Sequence, residues 1–221
     1  RLIYRSLFII IKMIKIKNNK RINVLLATSN QGKLLELQSL LGSLPLRCIL
    51  PGEINLHINV EETGSTYAEN AQIKALAYQR ASGMTVLADD TGLEVEALRG
   101  APGIHSARFS PLSGASDADR RALLLEKLGD FPQPWRAAFK CVVAIAAPGE
   151  EIHLFDGAVE GEIIAEERGA GGFGYDKLFW IPAAGKTMSE LGIEEKNCIS
   201  HRAIAVKKSI PYLLNVFNVK V

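Results

Sequence analysis

The stretch "INVLLAT" at residues 22–28 is apolar at nearly every position, which predicts a strand buried on both faces. Polar "SNQG" follows. Residues 33–42 then repeat Leu34, Leu37, Leu40 and Leu41 on one helical face. Residues 46–50 predict a second strand. "STYAENAQIKALAYQRAS" (65–82) predicts a helix: Thr66 and Glu69 have capping-box spacing, and Ala68, Ala71, Ala75 and Ala77 allow close packing. "TVLAD" (85–89) predicts a short strand buried on both faces, and 117–128 an amphipathic helix. "AAFKCVVAIAA" (137–147) and "EIHLFDGAVEGEII" (151–164) predict an antiparallel hairpin. A glycine-rich loop spans 169–174, and a helical region starts near Glu194 and runs past Ala205, interrupted by Pro211. Strands and helices mix without strict alternation, so the fold class is α/β, with a mixed β-sheet and helices around it.

The chain has 221 residues, 48% hydrophobic and 23% charged, enough for one globular domain with a core and a cleft. The net charge of +2 hides an asymmetry: residues 1–21 hold seven basic side chains and no acidic ones, leaving 19 basic against 24 acidic in the rest. A body of that balance lacks the basic face that duplex nucleic acid requires. The apolar run Leu7 to Ile11 is too short to span a bilayer, and no small-residue cleavage site follows it. Residues 1–21 read as an extension outside the fold, with a natural start near Met13, and 22–221 as the working domain. Cys48, Cys141 and Cys198 are far apart and form no zinc-type cluster with the four histidines, which suits a reducing, cytoplasmic setting.

Strand, polar turn and Gly32-Lys33 together have the outline of a phosphate-binding loop. The P-loop pattern requires a glycine five residues before Gly32 and a Ser or Thr after Lys33, where this chain has Ala27 and Leu34. What survives is a strand-to-helix turn whose N–H groups and lysine suit an anion. Asp89 and Asp90 end the "TVLAD" strand, the side on which α/β sheets place ligands. On their own they fit an Asx-turn or helix cap closing the strand better than a Mg²⁺ ligand. Glu61 and Glu62 precede a helix start and offer further carboxylates, while capping accounts for Glu69. "GAGGFGYDKLF" (169–179) lets backbone approach a ligand, with Phe173 or Tyr175 as a stacking surface for a flat base or a plug for the core. Lys196 and Ser200 are i,i+4 neighbours beside His201-Arg202, a polar face for phosphate or purine edges, or a solvated helix start.

In order, "ATSNQGKLLEL", "EETGSTYAENAQIKA", "ADDTGLEVEALRGAPGIHSARF", "GGFGYDKLF" and "KTMSELGIEEKNCISHR" resemble the signature blocks of the inosine/xanthosine triphosphate pyrophosphatases, over residues 22–215. The resemblance implies two lobes around a long mixed sheet, a cleft site between them, a homodimer, and Mg²⁺-dependent hydrolysis of ITP, dITP or XTP to monophosphate and pyrophosphate. By motif, Thr28, Ser29, Asn30, Gln31, Gly32 and Lys33 would hold the triphosphate, and Asp90 would be the catalytic and metal-binding carboxylate, with Glu61 as the second metal ligand. Thr91, Phe173, Gly174, Tyr175, Asp176, Lys196, His201 and Arg202 would surround the nucleoside. The chain departs from the family pattern in having Thr91 for Ser, Lys177 for Pro, and Arg120-Arg121 for neutral polar residues. The Lys177 change implies a less rigid loop. A relative preferring pyrimidine or other triphosphates, and a nucleotide sensor without turnover, are the alternatives.

Overall fold

In the computed structural model, which describes residues 21–217 and 219, the parallel part of the sheet comes first. Strand β1 (Ile22–Leu26) pairs in parallel with β2 (Leu46–Ile49) on one side and β3 (Val86–Val95) on the other. Helix α1 (Gln31–Leu41) joins β1 to β2, and α2 (Tyr67–Ser82) precedes β3. Beyond β3 the sheet turns antiparallel through β5 (Trp135–Ala146), β6 (His153–Ile163), β7 (Phe179–Ile181) and β8 (Lys186–Thr187). The short β4 (Pro102–Gly103) pairs with β3, and α3 (Asp117–Leu128) leads into β5. Helices α4 (Ile193–Ile199) and α5 (His201–Val216) end the chain. The expected mixed α/β sheet is present. The basic segment 1–20 lies outside the described residues.

Alternation along β1 explains its nearly all-apolar sequence. Val24 and Leu26 join a cluster with Leu34, Leu37 and Leu41 of α1 and Val206, Ile210 and Leu213 of α5. Leu25 and Ala27 join another with Ala71 and Ala75 of α2. A third cluster gathers Leu93, Val95, Leu124, Phe139, Tyr175 and Phe179.

Four local expectations change. The strand ending at Asp89 runs on to Val95, because β5 pairs with it residue by residue from Val86↔Ala146 to Val95↔Ala137. Asp89 and Asp90 therefore lie in mid-ladder, alternating between the two faces, and not in an Asx-turn. Pro211 does not interrupt α5. It lies on the exposed side, while Ile210, Leu213 and Leu214 are buried, and that packing outweighs a local cost of about 3 kcal/mol. The break falls at Ser200, whose hydroxyl accepts the Ala203 N–H at 3.1 Å, so Ser200 is a cap and not part of a ligand face with Lys196. Thr66 caps α2 as expected, but Glu69 returns to the Ser65 N–H at 2.6 Å, one residue earlier than a capping box requires.

Candidate active site

The turn after β1 is capped by its own residues. Asn30 Oδ1 accepts the Lys33 N–H at 3.0 Å and starts α1, placing Gly32 and Lys33 in its first turn. Lys33 reaches across to β3, its Nζ 3.1 Å from Asp89 Oδ2. That contact begins a line of alternating charges through the interior. Asp89 pairs with Arg202 Nε at 3.1 Å, Arg202 with Glu36, Glu36 with Lys196 at 2.6 Å, and Lys196 with Asp176 at 2.8 Å. Arg202 also donates to Thr91 Oγ1 at 3.2 Å. Asp89, Glu36 and Arg202 are all buried. Burial pushes the Asp89 carboxyl up, but Lys33 and Arg202 overcome this and hold it well below the usual range.

Asp90 has a different environment. Asn70 Nδ2 donates to its Oδ2 at 3.2 Å and the Thr91 N–H to its Oδ1 at 2.9 Å. The Gly64 N–H donates to Asn70 Oδ1 at 2.8 Å, fixing which way the Asn70 amide faces. Lys74, one turn along α2, pairs with Glu62 at 2.5 Å and donates to the Asp89 carbonyl at 3.0 Å. Burial raises the Asp90 pKa; Lys33 and Lys74 oppose this and Glu62 adds to it.

These groups wall a cavity of about 420 Å³. Its carboxylates are Glu36, Glu62, Asp90, Asp117 and Asp176, and among the described residues Asp90 alone of these has no ion-pair partner. No group of three or more His, Cys, Asp or Glu side chains gathers as a metal cage among the described residues. Mg²⁺ does not need one: it takes one or two carboxylates and completes its shell with water and substrate phosphates. The free carboxylate of Asp90, with Glu62 on the same wall, fits that requirement.

The opposite wall is aromatic. Phe173 lies against α1 so closely that a Cβ on Gly32 would sit 2.2 Å from its ring, and both Lys196 and Arg202 lie 5.6 Å from the ring centre. His201 reaches the cavity because α5 starts hard against β6, where a Cβ on Gly157 would meet the His201 carbonyl at 2.2 Å. Its ring stacks on Phe139 at 4.8 Å, and its Nδ1 has no hydrogen-bond partner. Burial, reinforced by Arg202 and Lys196, lowers its pKa well below 6.5. The unfolded state therefore takes up the proton first, and stability falls as pH drops below about 6.5, by up to about 1.4 kcal/mol per pH unit from this group. Denaturant titrations between pH 7 and pH 5 are expected to show a shallower decline in His201→Gln than in wild type. Parallel declines would refute a neutral buried imidazole.

A family model described as the Ham1 family matches residues 24–212. The chain belongs to the Ham1 family. A Desulforamulus reducens relative named dITP/XTP pyrophosphatase is 46% identical over 195 residues, 88% of this chain and 96% of the relative. The Ham1 protein of Staphylococcus aureus superposes with a TM-score of 0.77 at 40% identity, covering 87% of this chain and 98% of its own. A Coxiella burnetii HAM1 protein gives 0.78 at 39% identity, covering 88% and 99%.

Within this Ham1 chain, Thr28, Ser29, Asn30, Lys33, Asp90, Thr91, Phe173, Gly174, Tyr175, Asp176, His201 and Arg202, all expected at the site, line one cavity. Gln31, Gly32 and Lys196 do not: Gln31 is exposed, and Lys196 lies beneath the wall between Glu36 and Asp176. Of the paired glutamates, Glu62 lines the cavity and pairs with Lys74, whereas Glu61, the expected metal partner, is exposed. Lys177 does not leave its loop open, since its carbonyl accepts the Arg168 N–H at 3.0 Å and its Nζ approaches Glu167 at 3.5 Å. Sequence reading missed Lys74 and Glu36. Lys74 follows Asn70 at i+4, so the helix period could have placed both beside the same carboxylate. Glu36 breaks the leucine face of α1 with a charge, a signal that points inward only once its partners are known.

Proposed function

We propose that this protein hydrolyses non-standard purine nucleoside triphosphates (ITP, dITP and XTP) to the monophosphate and pyrophosphate with Mg²⁺. The observation that carries this reading is Asp90, a buried carboxylate with no ion pair among the described residues, in one cavity with two lysines and aromatic side chains. The names of the relatives support the same substrate class.

The phosphates lie along Lys33, Lys74 and the turn at Thr28 to Asn30, whose cations and N–H groups offset the anionic charge. Asp90 and Glu62 would hold Mg²⁺, which would supply further charge stabilisation to the triphosphate. Asp90 accepts a proton from the water that attacks the α-phosphorus; the α–β bridging bond breaks and pyrophosphate leaves. Phe173 stacks on the base, and His201 and Arg202 meet its 6-oxo edge. Arg202 has five N–H groups, of which its Glu36, Asp89 and Thr91 contacts engage three. Binding donors that require an oxo group leaves an adenine amine facing unpaired polar groups, the kind of penalty that discriminates strongly.

We read the assembly as a homodimer in the cytoplasm, on the family resemblance and the free thiols at Cys48, Cys141 and Cys198. No helix among the described residues is long and apolar enough to cross a membrane. The test is one preparation with Mg²⁺ and a panel of triphosphates. ITP, dITP and XTP are expected to turn over well ahead of ATP, releasing pyrophosphate, from a species of twice the chain mass by light scattering. Direct release of orthophosphate, or preference for dUTP, would overturn the proposed reaction.

A further inference from the structure

The loop carrying Phe173 contains Gly169, Gly172 and Gly174 at φ values of 85°, 72° and 60°. Glycine-rich backbone has little pose of its own, and ordering it costs more entropy than ordering other residues. Something outside the loop has to hold it where a base can stack.

Two side chains of α3 hold the two peptide groups that flank the Gly174 Cα. The Gly174 N–H donates to Asp117 Oδ2 at 2.7 Å, and Arg121 Nη1 donates to the Gly174 carbonyl at 2.8 Å. Asp117 and Arg121 are i,i+4 neighbours, so one helix face presents acceptor and donor together. The rest of the Arg121 guanidinium is engaged at the loop's base, donating through Nε and Nη2 to the two Glu167 oxygens at 2.6 and 3.2 Å. Glu167 in turn lies 3.5 Å from Lys177 at the loop's other end. One buried guanidinium, with Glu167 and Lys177, thus links both ends of the glycine loop to the Gly174 carbonyl, next to Phe173. The clamp itself touches neither lysine of the phosphate side: Lys33 and Lys74 are held by Asp89 and Glu62.

We infer that Arg121 is a positioning residue for the purine: through Gly174 it holds Phe173 in its stacking pose, and it acts on base recognition without acting on the phosphates. The inference rests on the proposed nucleotide substrate. It also gives a physical role to an arginine that the sequence pattern left without one. If losing the clamp leaves the loop in its stacking pose about a tenth of the time, apparent nucleotide affinity falls about tenfold.

The test uses the full chain with Mg²⁺ and compares wild type with Arg121→Gln, Arg121→Lys and Glu167→Gln. Glu167 is partly exposed, so its variant remains informative if Arg121→Gln fails to fold. Expected in Arg121→Gln is a roughly tenfold higher KM for the best purine triphosphate, with kcat within about twofold. Inhibition by inorganic tripolyphosphate, which carries no base, is expected to be unchanged. Arg121→Lys keeps the charge but cannot span Glu167 and the Gly174 carbonyl in the same way, so it is expected to recover part of the KM. Glu167→Gln is expected to shift KM in the same direction by less. Unchanged KM in both Arg121→Gln and Glu167→Gln, with wild type active, would overturn the clamp alone. Tripolyphosphate inhibition weakening in parallel with KM would mean a general collapse of the site and would also overturn it. Wild type inactive on every triphosphate would overturn the proposed function and the clamp with it.

Discussion

Asp90→Asn is expected to cut kcat about a thousandfold or more while the nucleotide still binds. A positioned general base contributes roughly 10²–10⁴ in rate, and this substitution also removes a proposed Mg²⁺ ligand. Binding survives because Lys33 and Lys74 keep their partners, Asp89 and Glu62. The fold should survive as well. Burial disfavours the charged carboxylate at this position, so a neutral amide of the same shape relieves a cost. Against that, an amide cannot accept from both Asn70 and the Thr91 N–H, a mismatch of about 1 kcal/mol. The two effects are of similar size and opposite sign, so stability should change little. The measurement is single-turnover pyrophosphate release beside calorimetric binding of the same nucleotide. Turnover close to wild type would remove Asp90 from the mechanism, and equal loss of binding and turnover would reduce it to an affinity residue.

Arg202→Met is expected to lower stability by about 3–5 kcal/mol, the usual cost of breaking a buried ion pair from one side. Lys33, Arg202 and Lys196 balance Asp89, Glu36 and Asp176 in the interior line, three charges of each sign. Removing the central cation leaves a net buried negative charge where Arg202 itself is 1% exposed. Water cannot screen it there without opening the core. In a domain of this size such a loss corresponds to a fall in Tm on the order of 10 °C. Denaturant unfolding with an unchanged m-value is the check. A midpoint within about 1 kcal/mol of wild type would show that Asp89 and Glu36 are satisfied by Lys33 and Lys196 alone.

Much of this molecule was legible along the chain because its signals are local. The nearly all-apolar β1, the amphipathic α3 and the β5–β6 hairpin depend on period and turns, which neighbouring residues determine. Asp90 and the turn before Lys33 were legible through motif order. Less legible were features whose cause lies elsewhere in the chain. Extension of β3 through two aspartates requires β5 alongside it, and the passage of α5 through Pro211 requires a core for Ile210 and Leu213. Glu61 and Glu62 are equivalent as letters, and only the path of the backbone into α2 turns one to solvent and the other to Lys74.

By itself, then, the sequence determined a mixed α/β domain, a phosphate-type turn that is not a P-loop, and the block order shared with the Ham1 family. Only the tertiary structure decided how the charges are allotted. Glu36, Asp89, Asp176, Lys196 and Arg202 pair into one buried line, and Asp90 is left on the cavity wall with no ion pair among the described residues. The reason is physical: periodicity and caps act over a few residues, whereas a buried carboxylate's chemistry depends on which distant charges the fold brings within a few ångströms of it.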